Sequence, residues 1–322
     1  MPRRPRLTGA ATAALALGLV AAAPATGTEP PVGDARVVAR FDPAAGRTPE
    51  NIALEPDGSA DLTFAAARTV AHVTLNGTTT TRATLPAVAD PATPLVRRAV
   101  VTGIARAHDG TLYVNYATGT RATGVWRLSP GAAPARIAAL PPDGFPNGLA
   151  LDERRGVLYA ADSVRGTVWR VPAAGGPATA WARRTELRPS RAGSFGANGI
   201  EVHRGAVWVS NTDRGTLVRL PVRENGSAGA PETLARGLAG IDGFAFPGAG
   251  RTALAALNGG NQVVLVRRDG SHTVVLTEAD GLAGPTSVAV RGRAVYVPSA
   301  AYRAGHGPNL LLARLRYHFG RL

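Results

Sequence analysis

The chain has 322 residues, of which 45% are hydrophobic and 18% charged, enough apolar material for a buried core and too little charge for disorder. It contains no cysteine and no lysine, so all 36 basic residues are arginine, and disulfides, thiol nucleophiles, thiolate-bound zinc, Schiff-base lysines and P-loop chemistry are excluded. The formal charge of +14 comes from arginines scattered singly or in pairs, without a sustained basic block or interleaved aromatics, so no nucleic-acid partner is expected.

Residues 1–25 have the anatomy of a secretory signal peptide. Arg3, Arg4 and Arg6 precede an apolar run from Leu7 to Val20, and Ala-Pro-Ala at 23–25 offers a cleavage site. The run is short for a membrane span, which takes ~20 residues. The expectation is a secreted, extracellular protein with no stable membrane association after signal removal. A retained N-terminal anchor is the alternative, and the Arg3-Arg4 pair leaves a twin-arginine route open. Residues 26–34 read as a flexible, Pro/Gly-rich lead-in, and residues 35–322 as one domain.

A repeat then runs to the C-terminus. Its units open with PENIALEPDG at Pro49, VTGIARAHDG at Val101, PNGLALDERRG at Pro146, ANGIEVHRG at Ala197, IDGFAFPGAG at Ile241 and PTSVAVRG at Pro285. The second residues of these units are Glu50, Thr102, Asn147, Asn198, Asp242 and Thr286, at separations of 52, 45, 51, 44 and 44 residues. Short alternating strands at a period in the forties are the signature of a β-propeller with one four-stranded sheet per blade. Six units predict six blades.

Within each unit a buried first strand (Ile52–Leu54, Leu149–Leu151, Phe244–Phe246) leads through a turn to a second strand such as VLYAA at 157–161 or AVWVSN at 206–211. A third strand follows, GVWRL at 124–128 or TVWRV at 167–171, and then a looser fourth, RIAAL at 136–140. Turn residues bracket every run. The sixth unit has only 36 residues after Thr286, room for three strands ending in Leu310–Arg316, and the β-prone run Ala35–Phe41 supplies its missing outer strand. Closing the ring in this way leaves no open edge. The two longest spacings place about seven extra residues in the connections 86–99 and 183–196, on the face where strand-two to strand-three loops also lie. Either segment reads equally as a functional loop or as a neutral insertion.

First strands line the central channel of a propeller, so the six second residues converge at one mouth. Glu50, Asn147, Asn198 and Asp242 bring four oxygen donors there, two of them carboxylates. That set suits a hard divalent ion, above all Ca²⁺, rather than zinc or copper. The competing account is turn chemistry, because Asn-Gly and Asp-Gly are common turn pairs. It explains neither Glu50 nor the register of the two acids.

On these residues the chain resembles the regucalcin–gluconolactonase family of six-bladed propellers over nearly its whole length after residue 25. Its Glu-Asn opening, with ANGIEVHRG and IDGFAF, is also similar to a branch containing fungal hetero-Diels–Alderases. The resemblance implies Glu50, Asn198 and Asp242 as metal ligands and Asn147 as a substrate or accessory ligand. It also implies lactone or ester hydrolysis, with the ion polarising the carbonyl and Asp242 as base. The sequence departs from the family where Glu-Gly-Pro becomes Glu50-Asn51-Ile52, and no arginine can be matched to the family's sugar-acid contact. A non-hydrolytic propeller that binds a small molecule or protein around a structural ion, or a pericyclase-like enzyme, is the alternative.

Further substrate contacts are expected from Asn51 and from residues near the ends of second strands: Asn115, Asp162, Asn211 and Asn258. Asp162 and Asn211 can equally cap their own turns. The histidines show no metal-ligand spacing, and no G-x-S-x-G, Walker or H-E-x-x-H motif occurs. Trp126 and Trp169, at matching third-strand positions, read as blade packing. A small-molecule substrate and a monomeric state are the remaining expectations.

Overall fold

Near-continuous apolar runs such as Leu112–Ala117 and Val157–Asp162 give each repeat strands that must bury both faces, and stacking the repeats around an axis does so. The computed structural model describes Met1, residues 30–303 and residues 307–316, so the signal-peptide reading of residues 1–25 lies, Met1 aside, outside the described residues. Twenty-four strands form six separate four-stranded antiparallel sheets, the blades of a propeller. Blade three is representative, with strands Pro146–Asp152, Val157–Asp162, Thr167–Pro172 and Thr179–Arg183 in that order from the axis outward. Second strands are wholly buried (Leu112–Ala117, Val157–Asp162, Ala206–Asn211), because neighbouring blades cover both of their faces. Outermost strands such as Thr79–Thr84 are polar and largely exposed. No α-helix occurs among the described residues, and none of their helical turns is long and apolar enough to cross a membrane.

Blade six closes the ring as the repeat count requires. Strand Val32–Arg40 pairs antiparallel with Asn309–Leu315, from Val32 opposite Leu315 to Arg40 opposite Asn309. It begins three residues before Ala35, so Val32–Asp34 belong to the sheet and not to a flexible lead-in.

Because the sheets share no ladder, hydrogen bonds near the channel mouth, five of them from side chains and one from backbone, tie each blade to the next. Thr63 Oγ1 donates to the Thr102 carbonyl at 2.7 Å, and Thr102 Oγ1 to the Pro146 carbonyl at 2.8 Å. Ser163 Oγ then donates to Ala197 O at 2.6 Å, and Ser210 Oγ to Asp242 O at 2.8 Å. Gly243 N–H donates to Thr286 O at 2.9 Å, and Thr286 Oγ1 to Pro49 O at 2.9 Å, completing the circuit.

The same crowding overturns the turn account of the Asn-Gly and Asp-Gly pairs. Gly148, Gly199 and Gly243 lie inside strands, at bulges where the inner strand slips against the second, and none has a positive φ. Their need for glycine is close approach. A Cβ on Gly148 would sit 2.3 Å from Asn198 O, and one on Gly199 would sit 2.5 Å from Asp242 O. Each bulge turns the residue before the glycine toward the mouth. Blade one has Asn51 in that place, and its Oδ1 accepts from Ile52 N–H at 2.8 Å and from Ser287 Oγ at 3.3 Å.

Three residues beyond the ring positions stand Ala53, Ala105, Ala150, Ala245 and Ala289, but Glu201 in blade four. Glu201 makes no side-chain hydrogen bond or ion pair among the described residues, and burial pushes its carboxyl up to about 8 from an ordinary 4.5.

Two outcomes follow. Gly148→Ala is expected to destabilise the fold by about 1–3 kcal/mol in denaturant unfolding through overpacking, whereas Gly250→Ala, whose nearest new contact is 3.9 Å, should change little. Glu201 folds most favourably when protonated, so the stability it contributes is full below pH 4.5 and is lost as the pH rises through about 8. Glu201→Gln should therefore raise the melting temperature at pH 8.5 more than at pH 4.5; an equal shift at both would exclude a buried, protonated Glu201.

Candidate functional site at the channel mouth

A cavity of about 640 Å³ opens where the inner strands begin, and five of the six ring positions line it: Glu50, Thr102, Asn147, Asn198 and Asp242. Thr286 is 1% exposed and serves the blade-six closure instead. Each ring residue is carried by the first residues of an inner strand and turned inward by its bulge.

The two amides are held in one orientation by hydroxyls. Ser163 Oγ donates to a carbonyl, so it must accept from Asn147 Nδ2, at 3.2 Å. Thr212 Oγ1 likewise donates to Ile241 O at 2.7 Å and accepts from Asn198 Nδ2 at 2.9 Å. Both amide nitrogens are thereby engaged, and Oδ1 is the atom each residue offers to a ligand.

Glu50 and Asp242 repel each other in a poorly solvated place. Burial pushes the Asp242 carboxyl well above the usual carboxylate range and the Glu50 charge pushes it further, against the Asn198 amide and the Gly243 N–H. Burial also raises Glu50, opposed by the Tyr302 hydroxyl, which donates to Glu50 Oε2 at 2.5 Å. Tyr302 reaches across from blade six because Ala301 before it takes a left-handed φ of 53°, pinned by its N–H to Ala283 O at 2.7 Å. Two carboxylates and two outward amide oxygens can hold a hard divalent cation, whose charge relieves this repulsion. No group of three or more His, Cys, Asp or Glu side chains suited to a metal occurs among the described residues.

The structure sorts the remaining sequence candidates. Asn258 lines the cavity, with Nδ2 given to Gly284 O and Pro285 O, both at 3.2 Å. Asn51, Asn115, Asp162 and Asn211 do not line it. Asn115 is fully buried, with Nδ2 on the Asn147 and Gly148 carbonyls at 2.9 and 3.0 Å. Asp162 accepts from the backbone of Phe145, Val164 and Arg165 and from Trp169 Nε1. Asn211 Nδ2 donates to Glu186 O and Arg188 O. These four side chains are spent on structure. Successive strand side chains point to opposite sides, so where Asp162 and Asn211 serve a loop, the next residues, Ser163 and Thr212, serve the ring. Tyr302, Arg98 and Arg303 also line the cavity. Tyr302 and Arg303 had no signal in the sequence, because the repeat lapses in the blade-six connection that carries them.

Fold and site together define a six-bladed β-propeller with an oxygen-lined mouth. Similar solved structures include a calcium-binding protein, regucalcin, from Agrobacterium tumefaciens (18% identity, TM-score 0.63, covering 89% of this chain and 98% of that one). They also include a gluconolactonase from Xanthomonas campestris (15%, TM-score 0.58, covering 89% and 97%) and a virginiamycin B lyase from Staphylococcus aureus (13%, TM-score 0.57, covering 88% and 98%). At these identities the likeness is one of fold. The sequence matches no protein-family model and no curated protein.

With chelator present, Asp242→Asn is expected to stabilise the protein by about 0.5–2 kcal/mol, since it removes a buried charge facing another. A lower melting temperature for that variant would mean the two carboxylates do not repel.

Proposed function

We propose that this chain is an exported, monomeric, divalent-metal-dependent hydrolase of a small lactone or ester, with Ca²⁺ as the ion. The observation that carries the reading is the orientation of the ring: Ser163 and Thr212 engage the amide nitrogens of Asn147 and Asn198, so that four oxygen donors share one cavity. Turn or packing roles give no reason for that arrangement. The regucalcin and gluconolactonase neighbours support it at the level of fold.

In this reading Glu50, Asn198 and Asp242 hold the ion, and Asn147 binds substrate or adds a fourth oxygen. A bound divalent cation supplies Lewis acidity toward a carbonyl and toward water. Asp242 would take the proton from the attacking water, the carboxylate standing in the same cavity as the ring amides. Tyr302 fixes Glu50 by donating to Oε2. Thr102 keeps its hydroxyl on the next blade and lends the cavity only its bulk.

A non-hydrolytic enzyme on the same frame is the second reading, favoured by the lyase among the structural neighbours.

The test is a panel of lactones and esters assayed with and without chelator, beside Asp242→Ala. Activity should vanish on chelation with the circular dichroism unchanged and should fall at least about 100-fold in the variant. Persistent activity in Asp242→Ala removes the proposed base; unfolding on chelation makes the ion structural.

A further inference from the structure

One wall of the mouth cavity is apolar, and the ring chemistry does not explain it. Ala65, Val100, Ala117 and Phe145 form a buried cluster, with Val96, Val164 and Phe195 packed against it. This cluster is distinct from the six that pack neighbouring blades face to face. Phe145 and Phe195 meet edge to face at 5.4 Å between ring centroids. Five of these residues (Ala65, Val96, Val100, Phe145 and Phe195) also line the cavity beside Asn147 and Asn198.

The origin of this wall is informative. Val96 lies in the connection 86–99 and Phe195 in 183–196, the two segments that exceed the repeat length. Each is held in place rather than draped. Tyr116 Oη donates to Pro86 O at 2.6 Å, and Asn211 Nδ2 holds Glu186 O and Arg188 O at 2.8 and 2.9 Å. Both extra lengths therefore deliver an apolar side chain to one side of one cavity. The opposite side carries Asn258, Tyr302 and Arg303. Ala65, Val100 and Phe145 are buried and give the wall its packing, while Val96 and Phe195 are half-buried, so the apolar surface they leave at the cavity gains energy when a ligand covers it.

We propose that the substrate carries an apolar acyl-chain or aryl group beside its reacting carbonyl, and that Val96, Val100, Phe145 and Phe195 bind it. The inference rests on the hydrolase reading for the reaction but not for the binding. A polyhydroxylated ligand is a poor occupant: against Val96, Val100, Phe145 and Phe195 its hydroxyls would lose water, with Arg98 the one charged group from the same connection beside them. The carbonyl lies at the ring, and the chain extends toward blades two to four. The two long connections are then the specificity element.

Two measurements test this with the whole chain after residue 25. The first is hydrolysis of γ-lactones whose alkyl substituent grows from none to four carbons. Burial of each methylene should raise kcat/KM about three- to fourfold, and D-glucono-δ-lactone should be the poorest substrate. The second is calorimetric binding of the matching γ-lactams, which resist hydrolysis, with the same dependence in Kd. Phe195→Gln should flatten both series, and Val96→Asn, in an exposed connection, should do so if the first variant folds poorly. Lactam binding that strengthens with chain length in the absence of any hydrolysis sinks the hydrolase reading and leaves the wall standing. A flat series in both measurements, or a preference for the polyhydroxylated lactone, overturns the proposal.

Discussion

Six radial sheets with no shared ladder must be joined by something other than strand pairing, and in this protein it is a relay of hydroxyls at the channel mouth. Thr63, Thr102, Ser163, Ser210 and Thr286 each donate to a carbonyl at the start of the next blade's inner strand. Each bond contributes about 0.5–1.5 kcal/mol net, modest beside the apolar area between blades, but the bonds decide position. They fix where the ring positions of blades one to five sit. The candidate site is made of those residues, so the contacts that close the ring also set the geometry of its mouth.

That constraint explains the residues around the ring. Inner strands drawn so close leave no room for a Cβ after the ring position, hence Gly103, Gly148, Gly199 and Gly243. Hydroxyls that spend their proton on the neighbouring blade can only accept from the amides of Asn147 and Asn198, which directs the amide oxygens to the cavity. The carboxylates pay the cost of the arrangement: burial raises both Glu50 and Asp242. Two carboxyls strained in this way within one cavity are what make the mouth the candidate site.

Architecture was legible because it is periodic. The register of Glu50, Thr102, Asn147, Asn198, Asp242 and Thr286 identified six inner strands, and the shortfall of the last unit identified Val32–Arg40 as the closing strand to within three residues. Four of the ring oxygen donors were legible for the same reason. Second-strand ends were misread by one residue, since alternation sends Asp162 and Asn211 to their loops and Ser163 and Thr212 to the ring. Asn115 was misread because a buried amide can tie two carbonyls of the next blade, a contact 32 and 33 residues away.

The sequence by itself determined the blade count, the closure and the chemical type of the ring, because each follows from spacing along one chain. Only the tertiary structure decided which oxygens face the cavity, that the Asn-Gly pairs are strands under crowding and not turns, that Tyr302 arrives from blade six to hold Glu50, and that two overlong connections build one apolar wall. These are contacts between blades. They depend on how closely neighbouring backbones approach, and no local pattern carries that distance.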